Sequence, residues 1–452
     1  MTGGKSIRLE RILELVYRAA LAAVDPGQTV RDSLFLDDEV LRVGDRAYPL
    51  REFRKIFLAG AGKAAVPMAG AVEQILGDRL NSGLVVVKYG HGGVLDRTRV
   101  LEAGHPEPDE NGVAATSRIL EFLDRNLTSQ DLLLVLISGG GSALTPCPVP
   151  GITLSDKQAA TSVLLNSGAT IHEINAIRKH LSRFKGGRLL RHTHGAQVVS
   201  LLLSDVVGDD VSSIASGPTV PDPTRFEDCL GILTQYGIRT AVPDPVLQYL
   251  QEGAAGGVDA PRETPKENDP AFVKVQNRVV GSNILALKAA ADESRRLGFA
   301  PLILSSSVYG NTEDVAKVHV GIAREVLQSG HPVAPPCCII SGGETTVRVT
   351  GSGKGGRNQE FALWCAREME SWGNEPLLIA SIGSDGNDGP TDAAGAWATP
   401  ETARRSRSLG LDPDSYLGDN DSYHFFEKLG DLIITGPTQT NVMDLRFILV
   451  GS

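Results

Sequence analysis

The stretch Ile56–Ala69 reads IFLAGAGKAAVPMA: a short apolar run, then Gly60, Gly62 and Ala65 in G-x-G-x-x-A spacing, then a helical apolar pattern. Strand, glycine turn and helix in that order open a Rossmann-like unit, where the helix N-terminus turns its N–H groups toward phosphate. A dinucleotide site also asks for an acidic residue at the end of the next strand, to hold a ribose. The next apolar run, GLVVVKYG, offers Lys88 there instead, and Lys63 in the loop suits a phosphoryl group better than a nicotinamide. A phosphate loop is the preferred reading, with a dinucleotide fingerprint and a plain glycine turn as its alternatives.

Outward from this loop, strand-length apolar runs recur, each ending in Gly or Ser and followed by a longer helical pattern: LLLVLISGGG, VVSLLLSD, PLILSSS, CCIISGG and LLIASIGSDG join the two already quoted. Continuous Val, Ile and Leu runs between helices are what strands buried on both faces require. The class is therefore α/β, with mainly parallel sheets expected. Residues 253–272 turn rich in Gly, Pro and charge without apolar periodicity, so a boundary or long surface excursion belongs there. The expected division is 1–252, a Rossmann-like α/β domain led by a helix near residues 7–24; 253–275, linker or excursion; and 276–452, a second α/β domain. Packing of the last residues back onto the first domain is left open.

Of the 452 residues, 41% are hydrophobic and 22% charged, an ordinary globular profile with room for two or three cores. A formal net charge of −10 argues against non-specific nucleic-acid binding. Any anionic substrate must then be met by local positive charge. The five cysteines have neither metal-ligand nor disulfide-framework spacing, and no segment has the length of a membrane span or a secretory apolar region, so a cytoplasmic protein is expected.

The residues just after each strand are the ones to weigh, because ligands of open parallel sheets bind there. Ser138, Gly139, Gly140, Gly141 and Ser142 let backbone N–H groups approach an anion, without the lysine of a Walker loop. Arg178 and Lys179 lie on a polar helical stripe that is solvated surface by default, but Lys185 and Arg188 follow closely and crowd the charge. Asp205 ends a strand as a metal ligand, a base or a helix cap. Glu344 follows CCIISGG; then Gly351, Gly353, Lys354, Gly355 and Gly356 lead into Arg357 and Asn358 where a helix opens, stacking dipole, donors and charge on one spot. Asp385, Asp388 and Asp392 fall within eight residues, a cluster suited to Mg²⁺, with a solvated acidic turn as the alternative. Together these residues read as a two-domain α/β enzyme that handles phosphate with Mg²⁺, transferring it from a nucleotide to a small anion.

The set AGAGKAA, EAGHPEPDENG, LISGGGSAL, INAIRKHLSRFKGGRL, LLSDVVGDD, IASGPTVPDPT, SGGETTV, GGRNQE and GSDGNDGPTDAAGA, in this order over nearly the whole chain, resembles the glycerate 2-kinase family, whose C-terminal module is called the MOFRL domain. The resemblance implies ATP-dependent phosphorylation of D-glycerate to 2-phosphoglycerate, a divalent cation, and an active site in a cleft between two α/β/α domains. By motif it makes Lys63 and Arg357 catalytic. With them we place Asp205 as a metal ligand or orienting carboxylate, and Gly60, Gly62, residues 138–142, Lys354 and Asn358 at the nucleotide. Arg178, Lys179 and Glu344 are assigned to glycerate, and Asp385 and Asp388 to Mg²⁺. A homodimer is left open; neither membrane nor nucleic acid is expected as a partner. The rival reading is an NAD(P)H-dependent hydroxypyruvate reductase, a label also attached to the family.

Overall fold

The computed structural model describes Leu9–Gly451, and the chain divides into two compact units. Of the described residues, the N-terminal unit holds Pro26–Ser204 and Asp209–Val280; the C-terminal unit holds 9–25, Asp205–Gly208 and 281–451.

The N-terminal unit begins with a small antiparallel sheet, β1 (Leu34–Asp37), β2 (Val40–Val43) and β3 (Arg46–Pro49). Its main sheet is built from β4 (Ile56–Ala61), β5 (Leu80–Lys88), β6 (Thr98–Ala103), β7 (Leu132–Ile137), β8 (Gln197–Leu203) and β9 (Val275–Gly281), in the order β6-β5-β4-β7-β8-β9. The four pairings from β6 across to β8 are parallel. Every residue of β4 and β7 is buried, as strands covered on both faces require. This is the Rossmann order, which reverses between β4 and β7 and leaves a crevice at their carboxyl ends.

The segment after the helix Asp244–Ala255 does not divide the chain. It returns to the same unit, where Pro265 O accepts from Asp222 N at 3.0 Å and β9 lines up beside β8. Residues 253–275 are an excursion within one unit.

In the C-terminal unit, β10 (Ala300–Asn311), β11 (Cys337–Thr346), β12 (Leu377–Gly383), β13 (Gly395–Ala398), β14 (Leu432–Ile433) and β15 (Asp444–Val450) form a sheet in the order β10-β11-β15-β12-β13-β14. Only β10 and β11 run parallel. The remaining four pairings are antiparallel: β15, the last strand, enters between β11 and β12 in the opposite sense to both, and β13 runs opposite to β12 and β14. The expectation of mainly parallel sheets thus holds for the first sheet and is corrected for the second, and the last residues form the second sheet's middle.

The leading helix, Leu9–Ala22, belongs with this C-terminal unit and not with the first. Its stripe Ile12, Leu13, Val16, Tyr17 and Ala20 is buried, it packs against the helix Asn283–Arg296, and Val24 O behind it accepts from Thr440 Oγ1 at 2.7 Å. Amphipathic periodicity identifies a buried face but not the surface that buries it. All five cysteines are buried and unbridged. Among the described residues no helix is long and apolar enough to cross a membrane.

Candidate functional site

At the carboxyl ends of β4 and β7 the two glycine loops are knitted to each other. Lys63 N donates to Gly139 O at 2.9 Å, Ser138 N to Ala61 O at 3.0 Å, and Ala64 N to Ser138 Oγ at 3.0 Å. Gly62 has φ +135°, and a Cβ there would stand 2.1 Å from Ser138 Oγ. In a dinucleotide fingerprint the second glycine leaves room for the pyrophosphate. Here Ser138 fills that room. The strand neighbouring β4 ends at Lys88, so the ribose acid is also missing. The loop presents Lys63 instead, ahead of the helix Ala65–Leu76, whose N-terminus has no side-chain cap.

Gly140, Ser142, Arg178 and Lys185 line a cavity of about 640 Å³, together with His105 and Lys157. Lys185 is buried; its Nζ donates to Ser142 O and, at 2.9 Å, to Ser142 Oγ, which lies 3.0 Å from Ser216 Oγ. Lys157 Nζ donates to Pro146 O at 2.6 Å. Burial, foremost, pulls the Lys157 ammonium down to about 7; nearby Cys147 opposes this, while Arg178 and Arg188 add to it. Lys185 is pushed well below its ordinary value, first by burial and then by Lys157 and Arg178. Burial also lowers Arg178. Three basic groups on one cavity disfavour each other's charged forms, and a bound anion favours those forms. His105 is depressed to about 4 by burial and then by Lys63, Lys88 and His91, so its imidazole is neutral at pH 7, and its Nδ1 has no partner.

Lys179, assigned with Arg178 to glycerate, is turned inward. It is 6% exposed and pairs with the buried Asp222 at 3.5 Å, so it is part of the core. Neighbouring positions on a helix point about 100° apart, and only Arg178 reaches the cavity.

In the C-terminal unit, β11, β15 and the helix Arg357–Glu368 gather the other motif residues. Asp444 takes Arg357 in a two-pronged pair, Nε to Oδ2 at 2.7 Å and Nη2 to Oδ1 at 2.9 Å, while Arg357 Nη1 pairs with Glu344 at 2.9 Å. Burial works against the guanidinium's charge, but Asp444 and then Glu344 outweigh it and raise the pKa further. Arg446, 1% exposed, joins Asp444 from the same strand at 3.2 Å.

Asp388, expected as a metal ligand, caps this helix instead. Its Oδ1 accepts from Asn358 N and Nδ2, both at 3.1 Å, and its Oδ2 from Gln359 N at 2.8 Å and Nε2 at 3.0 Å. Both oxygens are committed, and burial above all lifts the carboxyl to about 6, which suits a cap better than a metal. Asn358 is spent in the same place: it donates also to Asp444 at 2.9 Å, accepts from Ser381 at 2.5 Å and is 1% exposed. Lys354 Nζ sits 4.0 Å over the Tyr423 ring. Asn358 therefore faces no open cradle. Asp205 and Asp385 are half-buried. Among the described residues no group of three or more His, Cys, Asp or Glu side chains is placed to hold a metal.

The comparisons with known proteins agree with the motif order. Residues 12–251 match a family model described as a domain of unknown function, DUF4147, and residues 337–444 match the MOFRL family. The glycerate 2-kinase of Pyrococcus horikoshii is 41% identical over 96% of this chain and 95% of that protein. The D-glycerate 2-kinase of Thermotoga maritima is 40% identical over 98% of both chains. This chain belongs to the glycerate 2-kinase, MOFRL-domain family. A crystal structure of a Thermotoga maritima glycerate kinase superposes with a TM-score of 0.86 at 39% identity, covering 98% of this chain and 99% of that one.

Three residues of this candidate site were not singled out from the sequence. Lys157 sits in a helix that looks like ordinary surface and carries no local pattern, His105 lies within the EAGHPEPDENG motif without a role assigned to it, and Asp444 opens a strand outside the apolar runs read from the sequence. The signal available for Asp444 was DLRFILV itself, an apolar run with a charged start.

Proposed function

We propose that this protein is an ATP-dependent glycerate 2-kinase, transferring the γ-phosphoryl group of ATP to the C2 hydroxyl of D-glycerate to give 2-phospho-D-glycerate and ADP. The observation that carries the reading is the cavity at the carboxyl ends of β4 and β7, with Arg178, Lys157 and Lys185 on its lining and Lys63 in the loop beside it. Arg178 takes the glycerate carboxylate, because a guanidinium fork matches a carboxylate in two bonds. Lys63 meets the γ-phosphoryl group, and the glycine loop 138–142 lies against the nucleotide phosphates. Phosphoryl transfer asks for charge placed where it accumulates rather than for a covalent partner. Arg357 is a second catalytic cation, its plane fixed by Asp444 and Glu344.

For magnesium, a hard cation that takes carboxylate oxygens, Asp205 and Asp385 are the candidate ligands, since Asp388 is committed to its helix. When bound, it neutralises phosphate charge. Reduction of hydroxypyruvate is the competing reading, and Lys88 and the filled space over Gly62 weigh against it.

The test is a coupled assay with purified protein, D-glycerate, ATP and Mg²⁺, with NADH and hydroxypyruvate in parallel and the product identified by phosphorus NMR. ADP formation that requires glycerate, with a 2-phosphate product, is the expected result. Oxidation of NADH without ADP formation overturns the reading.

A further inference from the structure

A second cavity of about 540 Å³ lies in the N-terminal unit and shares no lining residue with the first. Arg183, Arg188, Arg191 and Arg262 all line it, in a protein whose net charge is −10. Among the described residues no carboxylate forms an ion pair with any of the four. Arg188 is 5% exposed; its Nη1 donates to Ser182 O and its Nη2 to Arg262 O, both at 3.0 Å, and its Nε has no partner. Arg191 reaches only the backbone carbonyl of Glu263. A desolvated guanidinium with an unmet donor, and three more beside it, is costly unless an anion completes the set. The crowding is felt within the group: burial first, then Arg188 and Arg262, disfavour the charge on Arg191.

Arginine forks match the oxygens of a phosphoryl group, which accepts several such bonds at once. Glu252 and Asp259, on the same lining, are acceptors and suit hydroxyl donors on the remainder of a ligand. We propose that this cavity is a second anion site and takes a hydroxylated phosphomonoester. The proximity in sequence of Lys185 and Arg188 hides a division of labour, since Lys185 serves the first cavity and Arg188 the second.

The experiment is isothermal titration of the full chain with sn-glycerol 3-phosphate, and separately with inorganic phosphate and glycerol. Wild type is compared with Arg191→Glu/Arg262→Glu and with Lys63→Ala. Saturable binding of glycerol 3-phosphate to wild type and Lys63→Ala, weakened at least tenfold in the double variant, is the expected result. Both replaced arginines are exposed, the melting temperature checks the fold, and Arg183→Glu, also exposed, is the second variant should the double one melt early. No saturable binding, binding indifferent to the arginine substitutions, or loss confined to Lys63→Ala overturns the site. Inorganic phosphate binding as tightly as the ester overturns the assignment to a hydroxylated ligand. None of these outcomes depends on the kinase activity.

Discussion

Raising the pH should weaken glycerate binding, and Lys157 sets the size of the effect. Its ammonium is buried on the cavity lining, donates to Pro146 O at 2.6 Å, and titrates near 7, chiefly because burial penalises its charge. An unfolded lysine titrates near 10.4. Between these values the unfolded chain holds more protons than the folded one, so the stability of the ligand-free protein rises with pH, by about 1.4 kcal/mol per pH unit from this one group. Over the whole window that is on the order of 5 kcal/mol, fully felt below pH 7 and relieved toward pH 10. A bound carboxylate favours the charged lysine, so binding above pH 7 takes up a proton and the apparent affinity falls by up to about tenfold per pH unit. Glycerate's own carboxylate is ionised throughout and contributes no slope. The assay is KM for glycerate from pH 6.5 to 9, with urea unfolding of the free protein at pH 7 and pH 9, for wild type and Lys157→Met. Lys185 is depressed in the same direction and Lys157 is one cause of that, so Lys157→Met removes both the slope of Lys157 and its push on Lys185. A flat KM with flat stability refutes the reasoning, as does a slope that survives Lys157→Met undiminished.

Lys63→Ala should lower kcat by about a hundredfold or more, the usual loss for one preorganised charge, with an unchanged melting temperature because Lys63's loop is held by backbone bonds. Near-normal turnover would remove Lys63 from the chemistry. Asp444→Ala leaves Arg357 with Glu344 alone and the buried Arg446 without a carboxylate, and should cost about 3–5 kcal/mol in urea unfolding; a loss under about 1 kcal/mol would mean that solvent reaches Arg446. Gly353→Ala places a Cβ 2.4 Å from Asp421 Cβ and should cost about 1–3 kcal/mol, and a neutral result would show that the loop yields freely.

The seven apolar runs read from the sequence are strands, because a strand buried on both faces must be apolar along its whole length and so declares itself. Helix Leu9–Ala22 was legible as an element but not in its allegiance, since a stripe of Ile12, Leu13 and Val16 fits any apolar surface. Sheet direction in the C-terminal unit was not legible at all. Whether β11 and β12 are joined directly or held apart by β15 depends on a pairing about a hundred residues distant, which no local period encodes. Site residues divide in the same way. Lys63 and Arg178 announce themselves by motif and by charge; Lys157 matters only because folding buries it, and burial is a property of the whole chain.

The two glycine-rich loops were read by one rule and have different physical causes. At Gly140 glycine serves a surface that a ligand can reach: it takes φ +81°, lines the cavity, and a Cβ on it would meet the His105 ring at 2.9 Å. In the loop at 351–356 the chain itself fills the space. A Cβ on Gly351 would stand 2.3 Å from Asp419 Cα, on Gly355 2.2 Å from Ser422 Oγ, and on Gly356 2.3 Å from Asp388 Cγ. Gly353 N donates to Asp419 O at 2.8 Å and Lys354 N to Asp421 at 2.9 Å, so this loop's amides are spent on protein partners. Backbone approaching backbone demands glycine as strictly as backbone approaching phosphate does. What separates the two cases is what lies over the glycine, open cavity at Gly140 and packed chain at 351–356, and that is why the anion reading of the second loop gives way while the first keeps its cavity.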